Sequence, residues 1–200
     1  SLECAKIKFV ASSRPVVISG SGSWYSGAEN SLTEFVEKIK APIFTLNFGR
    51  GVVSDNHKNC MGQASPSAPN GFKKATSEAD LIILLGVRLS LYIGWGRTFN
   101  PEAKVIQMDI EPEEIGRNKP ADLPIFSDIN RAIIKLNSSI GDNFDFSKWL
   151  TACENWKKDE WAEVDKLKAS DEKPLHVLRV VKAIEDYFGN EAMICIDGGD

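Results

Sequence analysis

Five short stretches of this sequence close an apolar run with residue types that handle phosphate, ribose or a flat base. They are Gly20-Ser-Gly22, Asn47 to Gly51, Gly86-Val-Arg88, Asp109-Ile110 and Ser127-Asp-Ile129. Glycines let backbone N–H groups come close to a phosphate. An arginine can pair with phosphate or lie flat on a base, and an Asp at a strand end can accept hydrogen bonds from ribose hydroxyls. Each also has a plainer use: Gly-Ser-Gly as a tight turn, Arg88 in an ion pair with a neighbour, and Asp128 as an N-cap ahead of a helix. Together they point to a nucleotide-like ligand at the ends of strands.

Other chemistries find little support. Position 25 is Tyr, so Gly20-Ser-Gly22 does not extend to G-x-G-x-x-G. There is no G-x-S-x-G elbow, no Walker loop and no evident His–carboxylate pair. Glu111, Glu113 and Glu114 flank Pro112 at a helix start, where acids suit the dipole, and are read as capping. No residue is assigned a catalytic role and no metal set is expected. His57 and His176 are far apart in sequence, and Cys4, Cys60, Cys153 and Cys195 include no C-x-x-C pair, which fits reduced thiols in a cytoplasmic protein.

The elements that must position these loops follow from the apolar pattern. Pro15 to Gly20, Pro42 to Leu46, Asp80 to Gly86, Lys104 to Asp109 and Leu123 to Asp128 read as strands, with a further short one near Cys60-Met61. Such runs, apolar throughout, suit strands buried on both faces. Ala28 to Lys40 carries Leu32, Phe35, Val36 and Ile39 at helical spacing. Gly71 to Ala79 and Ile129 to Leu136 are further helices, and Glu3 to Ser13 is a short leading helix or arm. Strands alternating with helices predict a doubly wound parallel α/β sheet, whose ligands bind outside the carboxyl ends of the strands.

The expected domains are 1–140 for this sheet, 141–173 for a helical linker and 174–200 for the start of a second α/β domain cut off at Asp200. Ser147 N-caps the linker helix, which carries Trp149, Cys153, Trp156 and Trp161. A helix from Pro174 to Tyr187 and a strand from Ala192 to Ile196 then follow. The net charge of −4 and the lack of a Lys/Arg run argue against nucleic acid. No apolar stretch approaches the roughly 18 residues of a membrane span.

Four blocks carry a resemblance: Arg14-Pro-Val-Val-Ile-Ser-Gly-Ser-Gly22, Ala41 to Leu46 with Gly49-Arg-Gly51, Ala79 to Arg88, and Val105 to Gly116. In sequence and order they resemble the Rossmann-like central domain of thiamine-diphosphate-dependent enzymes of the acetolactate synthase, benzaldehyde lyase and oxalyl-CoA decarboxylase type, over about Arg14 to Leu136. The tail from Pro174 resembles the start of that family's diphosphate-binding domain. The resemblance implies a parent enzyme, a lyase, decarboxylase, carboligase or synthase acting next to a carbonyl, with thiamine diphosphate and Mg2+ held by N- and C-terminal domains outside this stretch. It implies a homo-oligomer for the full protein and no activity for these residues alone.

Carried over by motif, the resemblance makes Gly20, Gly22, Arg88, Asp109, Ile110, Asp128 and Ile129 the adenine-nucleotide contacts, for ADP, CoA or FAD. Gly-Ser-Gly in place of Gly-Gly-Gly, and Leu89-Ser-Leu-Tyr92 where flavin-binding members carry Asp-Asp, count against FAD. Gly94-Trp-Gly96 is more similar to the benzaldehyde lyase, 2-hydroxyacyl-CoA lyase and oxalyl-CoA decarboxylase branch. The alternatives are a non-catalytic binding or assembly module with a vestigial site, and half of a nicotinamide dehydrogenase, against which the missing third glycine counts.

Overall fold

A computed structural model describes residues 2–141, 144–189, 193 and 195. Contacts divide the chain into two units, Ser1–Lys158 and Asp159–Asp200. The first opens with α1 (Leu2–Val10) and holds six strands: β1 (Pro15–Ser19), β2 (Ile43–Thr45), β3 (Cys60–Gln63), β4 (Leu81–Leu85), β5 (Lys104–Asp109) and β6 (Leu123–Phe126). All pairings are parallel, in the order β3-β2-β1-β4-β5-β6. The order reverses between β1 and β4. Their carboxyl ends therefore flank the crevice where such sheets take ligands.

Burial explains both the arrangement and one departure from the sequence reading. β1, β2 and β4 are buried along their whole length, as apolar runs in a covered parallel sheet should be. The outer strands are not: in β6 only Leu123 is buried, and Gln63 of β3 faces solvent. An edge position has a neighbour on one side only, so those runs need not be buried on both faces.

Helices cover the sheet where the spacing placed them. α3 (Glu29–Ile39) buries Leu32, Phe35, Val36 and Ile39, and α5 (Ile129–Ser139) buries Ile129, Ala132, Ile133 and Leu136. Asn137 Nδ2 donates to the Ser31 carbonyl at 2.8 Å, tying these two helices together. α4 (Phe72–Glu78) turns Phe72 onto Phe44 of β2, ring centroids 5.1 Å apart. One helix has no counterpart in the sequence reading: α2 (Ser21–Tyr25), five residues directly after β1. Its Ser-Gly-Ser-Trp-Tyr sequence carries no apolar period to announce it.

The opening of α6 (Ser147–Lys168) belongs to the first unit. Trp149 is buried and its indole N–H donates to the Pro15 carbonyl at 3.0 Å. Trp156 meets Trp149 edge to face at 5.4 Å. Trp149 thus packs at the start of β1, and Trp156 packs on Trp149 and beneath Lys74 of α4. In the second unit, the end of α6 and α7 (Val177–Phe188) are joined by Lys168 Nζ to Glu185 Oε2 at 3.0 Å. α7 starts three residues later than Pro174, capped by His176, whose Nδ1 accepts from Leu178 N. Most of the strand expected over 192–196 lies outside the described residues.

Candidate functional site

The loop between β1 and α2 and the turn after β4 are pressed together by three glycines. Gly22 N donates to the Gly86 carbonyl at 3.1 Å, and Gly20 N to the Leu85 carbonyl at 2.9 Å. A Cβ on Gly20 would lie 2.2 Å from the Gly86 oxygen, and one on Gly22 would lie 2.6 Å from Gly86 Cα. Gly86 itself sits at φ +59°, a conformation that costs residues with a Cβ. No side chain fits between these loops, so the chain crosses there at backbone contact distance.

Above this crossing lies a cavity of about 340 Å3, within the usual size range of small-ligand pockets. Four strand-end loops line it, in the order in which the sheet sets them side by side. After β1 come Ser21, Gly22, Tyr25 and Ser26, and after β4 come Gly86 and Arg88. Asp109, Ile110 and Glu111 close β5, and Asp128 and Ile129 follow β6. Six of the seven residues singled out from sequence thus meet at one opening. Gly20 is the exception: it is buried at the crossing and absent from the lining.

The geometry of the polar groups is set from below. Asp109 is only 6% exposed, and its Oδ1 accepts from the Glu111 amide at 2.9 Å. Burial pushes its carboxyl above the ordinary range; the Glu111 amide opposes this, Glu114 adds to it, and Arg88 works against it. Ile110, next in the chain, is 62% exposed and offers an apolar face at the rim. Asp128 is the N-cap of α5, its Oδ1 accepting from Arg131 N at 2.9 Å. Capping and lining are therefore compatible roles for this residue. Ile129 is buried and forms floor rather than rim.

Arg88 reaches solvent but is not unattended. Its Nε lies 3.6 Å from Glu114 Oε1, and the same oxygen takes Arg117 Nη1 at 3.0 Å. The loop bearing Glu114 is held by the buried Gln107 of β5, whose Nε2 donates to the Glu114 carbonyl and whose Oε1 accepts from Gly116 N, both at 2.9 Å. The capping role expected for these acids belongs to Glu111, which accepts from Glu113 N at 3.5 Å. Glu114 instead bridges two guanidinium groups, a pairing that only the folded loop brings together.

The remaining loop, after β2, lines a neighbouring cavity of about 310 Å3. It contributes Asn47 and Phe48, while Ser90 and Tyr92 come from the far side, and Ser21 and Arg88 are shared with the first cavity. Arg50 of that loop pairs with Asp55 at 2.7 Å. The Gly94-Trp95-Gly96 segment just beyond Tyr92 runs through three successive left-handed residues, at φ 60°, 53° and 73°. The Arg97 guanidinium lies 5.1 Å from the Trp95 ring.

One expectation is corrected here. A His–carboxylate pair does exist: His57 Nε2 lies 3.1 Å from Glu37 Oε1. His57 Nδ1 accepts from the Asn59 amide at 3.2 Å, and both residues precede β3, at the opposite edge of the parallel sheet from the cavity. One ring nitrogen ties that loop to α3, and the other braces the loop itself. Among the described residues no group of three or more His, Cys, Asp or Glu is placed to hold a metal ion. Cys60 and Cys153 are buried thiols, and burial pushes Cys153 up to about 12.

Ser21 and Gly86 belong to the stretches singled out from sequence and also line the cavity. The residues missed in sequence are Tyr25, Ser26 and Glu111, of which Glu111 adjoins the named Ile110. In sequence, Tyr25 marks only a break in a glycine motif. In the structure it is an exposed ring at the end of α2, lining the cavity.

A doubly wound sheet with its cavity at the order reversal defines a nucleotide-fold domain, and sequence comparison says which. Residues 3–136 match the family model of the thiamine pyrophosphate enzyme central domain, and the chain belongs to that family. It is 32% identical over 191 residues to a probable acetolactate synthase large subunit of Methanococcus aeolicus, covering 89% of this chain and 31% of that protein. It is also similar to 2-hydroxyacyl-CoA lyase 1 of Mus musculus, with 28% identity over 197 residues, 94% of this chain and 32% of that one. Oxalyl-CoA decarboxylase of Escherichia coli (strain K12) matches at 27% over 176 residues, 86% of this chain and 30% of its own length. The chain thus spans about a third of the curated relatives it matches.

Proposed function

We propose that this domain holds an adenine nucleotide, as ADP, as the nucleotide part of CoA or as that of FAD, in the cavity above the β1–β4 crossing. The reading rests on one observation above all: four loops from the carboxyl ends of β1, β4, β5 and β6 line a single cavity at the reversal of strand order. The groups fit such a ligand. Ile110 offers an apolar face for a base, Asp109 and Asp128 each have an oxygen beyond the one held by a backbone amide, and Arg88 supplies a cation for phosphate.

The parent would be a cytoplasmic, homo-oligomeric lyase, decarboxylase or synthase of the thiamine-diphosphate class, with further domains on both sides of this one. Bound thiamine diphosphate would supply the electron sink for making or breaking a bond beside a carbonyl. As the family resemblance implies, its Mg2+ and diphosphate would be held by the flanking domains of the parent.

Isothermal titration of the chain with ADP, CoA and FAD tests the nucleotide role. At least one should bind tighter than about 1 mM, and Arg88→Ala should weaken it about tenfold or more, since a charge-assisted bond to phosphate contributes roughly 1.5–3 kcal/mol. Binding of all three weaker than about 1 mM, or no effect of Arg88→Ala, refutes it. A second reading, a structural domain with a vestigial site, draws on the Glu114–Arg88 pair and on the Gly22 amide being committed to Gly86. It expects no binding in the same titration.

A further inference from the structure

We propose that a separate cavity, at the amino ends of the strands, binds small organic amines whose charged nitrogen is carried on an apolar or aromatic body. It shares no lining residue with the cavity above the β1–β4 crossing. Its volume is about 530 Å3, again within the range of small-ligand pockets. Three segments line it: Phe9, Val10 and Ser12 at the end of α1, Ser139, Ile140 and Gly141 at the end of α5, and Phe144, Asp145 and Phe146 ahead of α6. Ser12 fixes its place in the fold, since its hydroxyl donates at 2.6 Å to Asp80 Oδ1 at the amino end of β4. Phe146 N donates to the Ile39 carbonyl at 3.2 Å, which holds the third segment to the end of α3.

The floor is aromatic. Phe9 and Phe146 are buried and Phe144 is half-buried, its ring 5.8 Å from that of Phe9 and 6.3 Å from that of Phe146. Aromatic faces attract a cation. The polar side chains around them are acceptors. Ser139 Oγ donates to the Leu136 carbonyl and Ser12 Oγ to Asp80, so each hydroxyl proton is committed and its lone pairs remain. Asp145 stays ionised, because its hydrogen bonds with Lys40 and Ser147 hold it below the ordinary carboxylate range. Two helices end at the opening, and the carboxyl end of a helix carries unpaired carbonyls and the negative end of its dipole. No Lys, Arg or His is among the described lining residues. Lys40 does meet Asp145 at 2.7 Å, but both side chains are half exposed, and a pair of that kind contributes little and can yield to another cation. An anion would face like charge here and a neutral ligand would leave the carboxylate unmatched, whereas an ammonium group suits both the carboxylate and the rings.

2-Phenylethylamine, 2-phenylethanol and 3-phenylpropanoate carry the same ring with a cationic, a neutral and an anionic head, and can be titrated into the chain by two-dimensional amide NMR. The amine should bind at about 10 mM or tighter, roughly tenfold tighter than either analogue, and shift the amides of Phe9, Ile140 and Phe144. Phe144→Leu keeps an apolar side chain without the ring, and Asp145→Asn keeps an oxygen for Ser147 N. Each should weaken the amine about threefold or more and leave 2-phenylethanol unchanged. Raised salt should also weaken the amine. An amine that binds no tighter than 2-phenylethanol overturns the preference for charge. Shifts confined to other amides, or no binding at about 10 mM, overturn the site. An amine affinity unchanged in both variants overturns the roles given to the ring and the carboxylate. None of these outcomes bears on the nucleotide reading, which concerns the other end of the strands.

Discussion

Replacing Gly86 by alanine separates two reasons for glycine at this crossing: close approach of a phosphate, or close approach of two loops. Two penalties fall on the variant. The backbone at φ +59° is left-handed, which costs a residue with a Cβ about 1–2 kcal/mol. The added Cβ would also stand 2.4 Å from Gly22 Cα and 2.9 Å from Gly22 N. Carbon–carbon contact is comfortable at about 3.5–4 Å, so the loops must part by roughly 1 Å. Overpacking of this kind typically costs a further ~1–3 kcal/mol. The sum is about 2–5 kcal/mol, or roughly 5–15 °C of melting temperature for a chain of this size.

Gly27→Ala supplies the control: φ is +66°, but the nearest atom to the new Cβ is Glu29 Oε2 at 3.9 Å. It should carry the backbone penalty without the clash. Melting followed by far-ultraviolet circular dichroism compares the two. If Gly86→Ala melts no lower than Gly27→Ala, the loops can part freely, the packing account is wrong, and a ligand must be the reason for glycine there.

Asp80, at the amino end of β4, gathers Ser12 Oγ at 2.6 Å, Ser13 Oγ at 2.8 Å and the amides of Ser13 and Arg14 at 2.9 and 3.0 Å. Burial alone would raise its carboxyl, but those hydrogen bonds outweigh it and hold the group below the ordinary range. A depressed value stabilises the fold above the unfolded pKa of about 3.9 and ceases to do so as pH falls through the folded one. Asp80→Ala should therefore lower stability by about 2–3 kcal/mol near neutrality, and urea midpoints of the two proteins should converge below about pH 3.9; a gap that is independent of pH refutes this. Trp149→Phe leaves the Pro15 carbonyl without its indole donor and should cost about 1–3 kcal/mol, read as a lower urea midpoint; an unchanged midpoint would mean that α6 does not hold β1.

The sheet was legible because strands buried on both faces announce themselves as unbroken apolar runs, and Leu81–Leu85 is the extreme case. Helices with one buried face were equally plain, α3 above all. What escaped was short or relational. α2 is five residues of Ser, Gly and aromatics with no period to read. The His57–Glu37 and Arg88–Glu114 pairs join residues 20 and 26 positions apart, and nothing in either neighbourhood anticipates the other. Cavity-lining residues could be named from sequence since parallel topology forces every strand-end loop to one edge. Their partners could not, because those depend on where the loops bend after leaving that edge.

Glu114 shows why the distinction matters for binding. Taken singly, Arg88 promises a phosphate site. In the fold its guanidinium faces a carboxylate that also serves Arg117, with Asp109, Glu111 and Asp128 lining the same cavity. These two cations and four carboxylates leave the locality net negative, as is the whole chain at −4. Long-range attraction therefore works against a polyanion here rather than for it. On the proposed nucleotide reading, the ligand would gain its affinity from contacts made at close range: the Ile110 face, hydroxyl hydrogen bonds to the acids, and one guanidinium. A site of that kind responds more to the shape and hydroxyl pattern of the nucleoside than to the number of its phosphates.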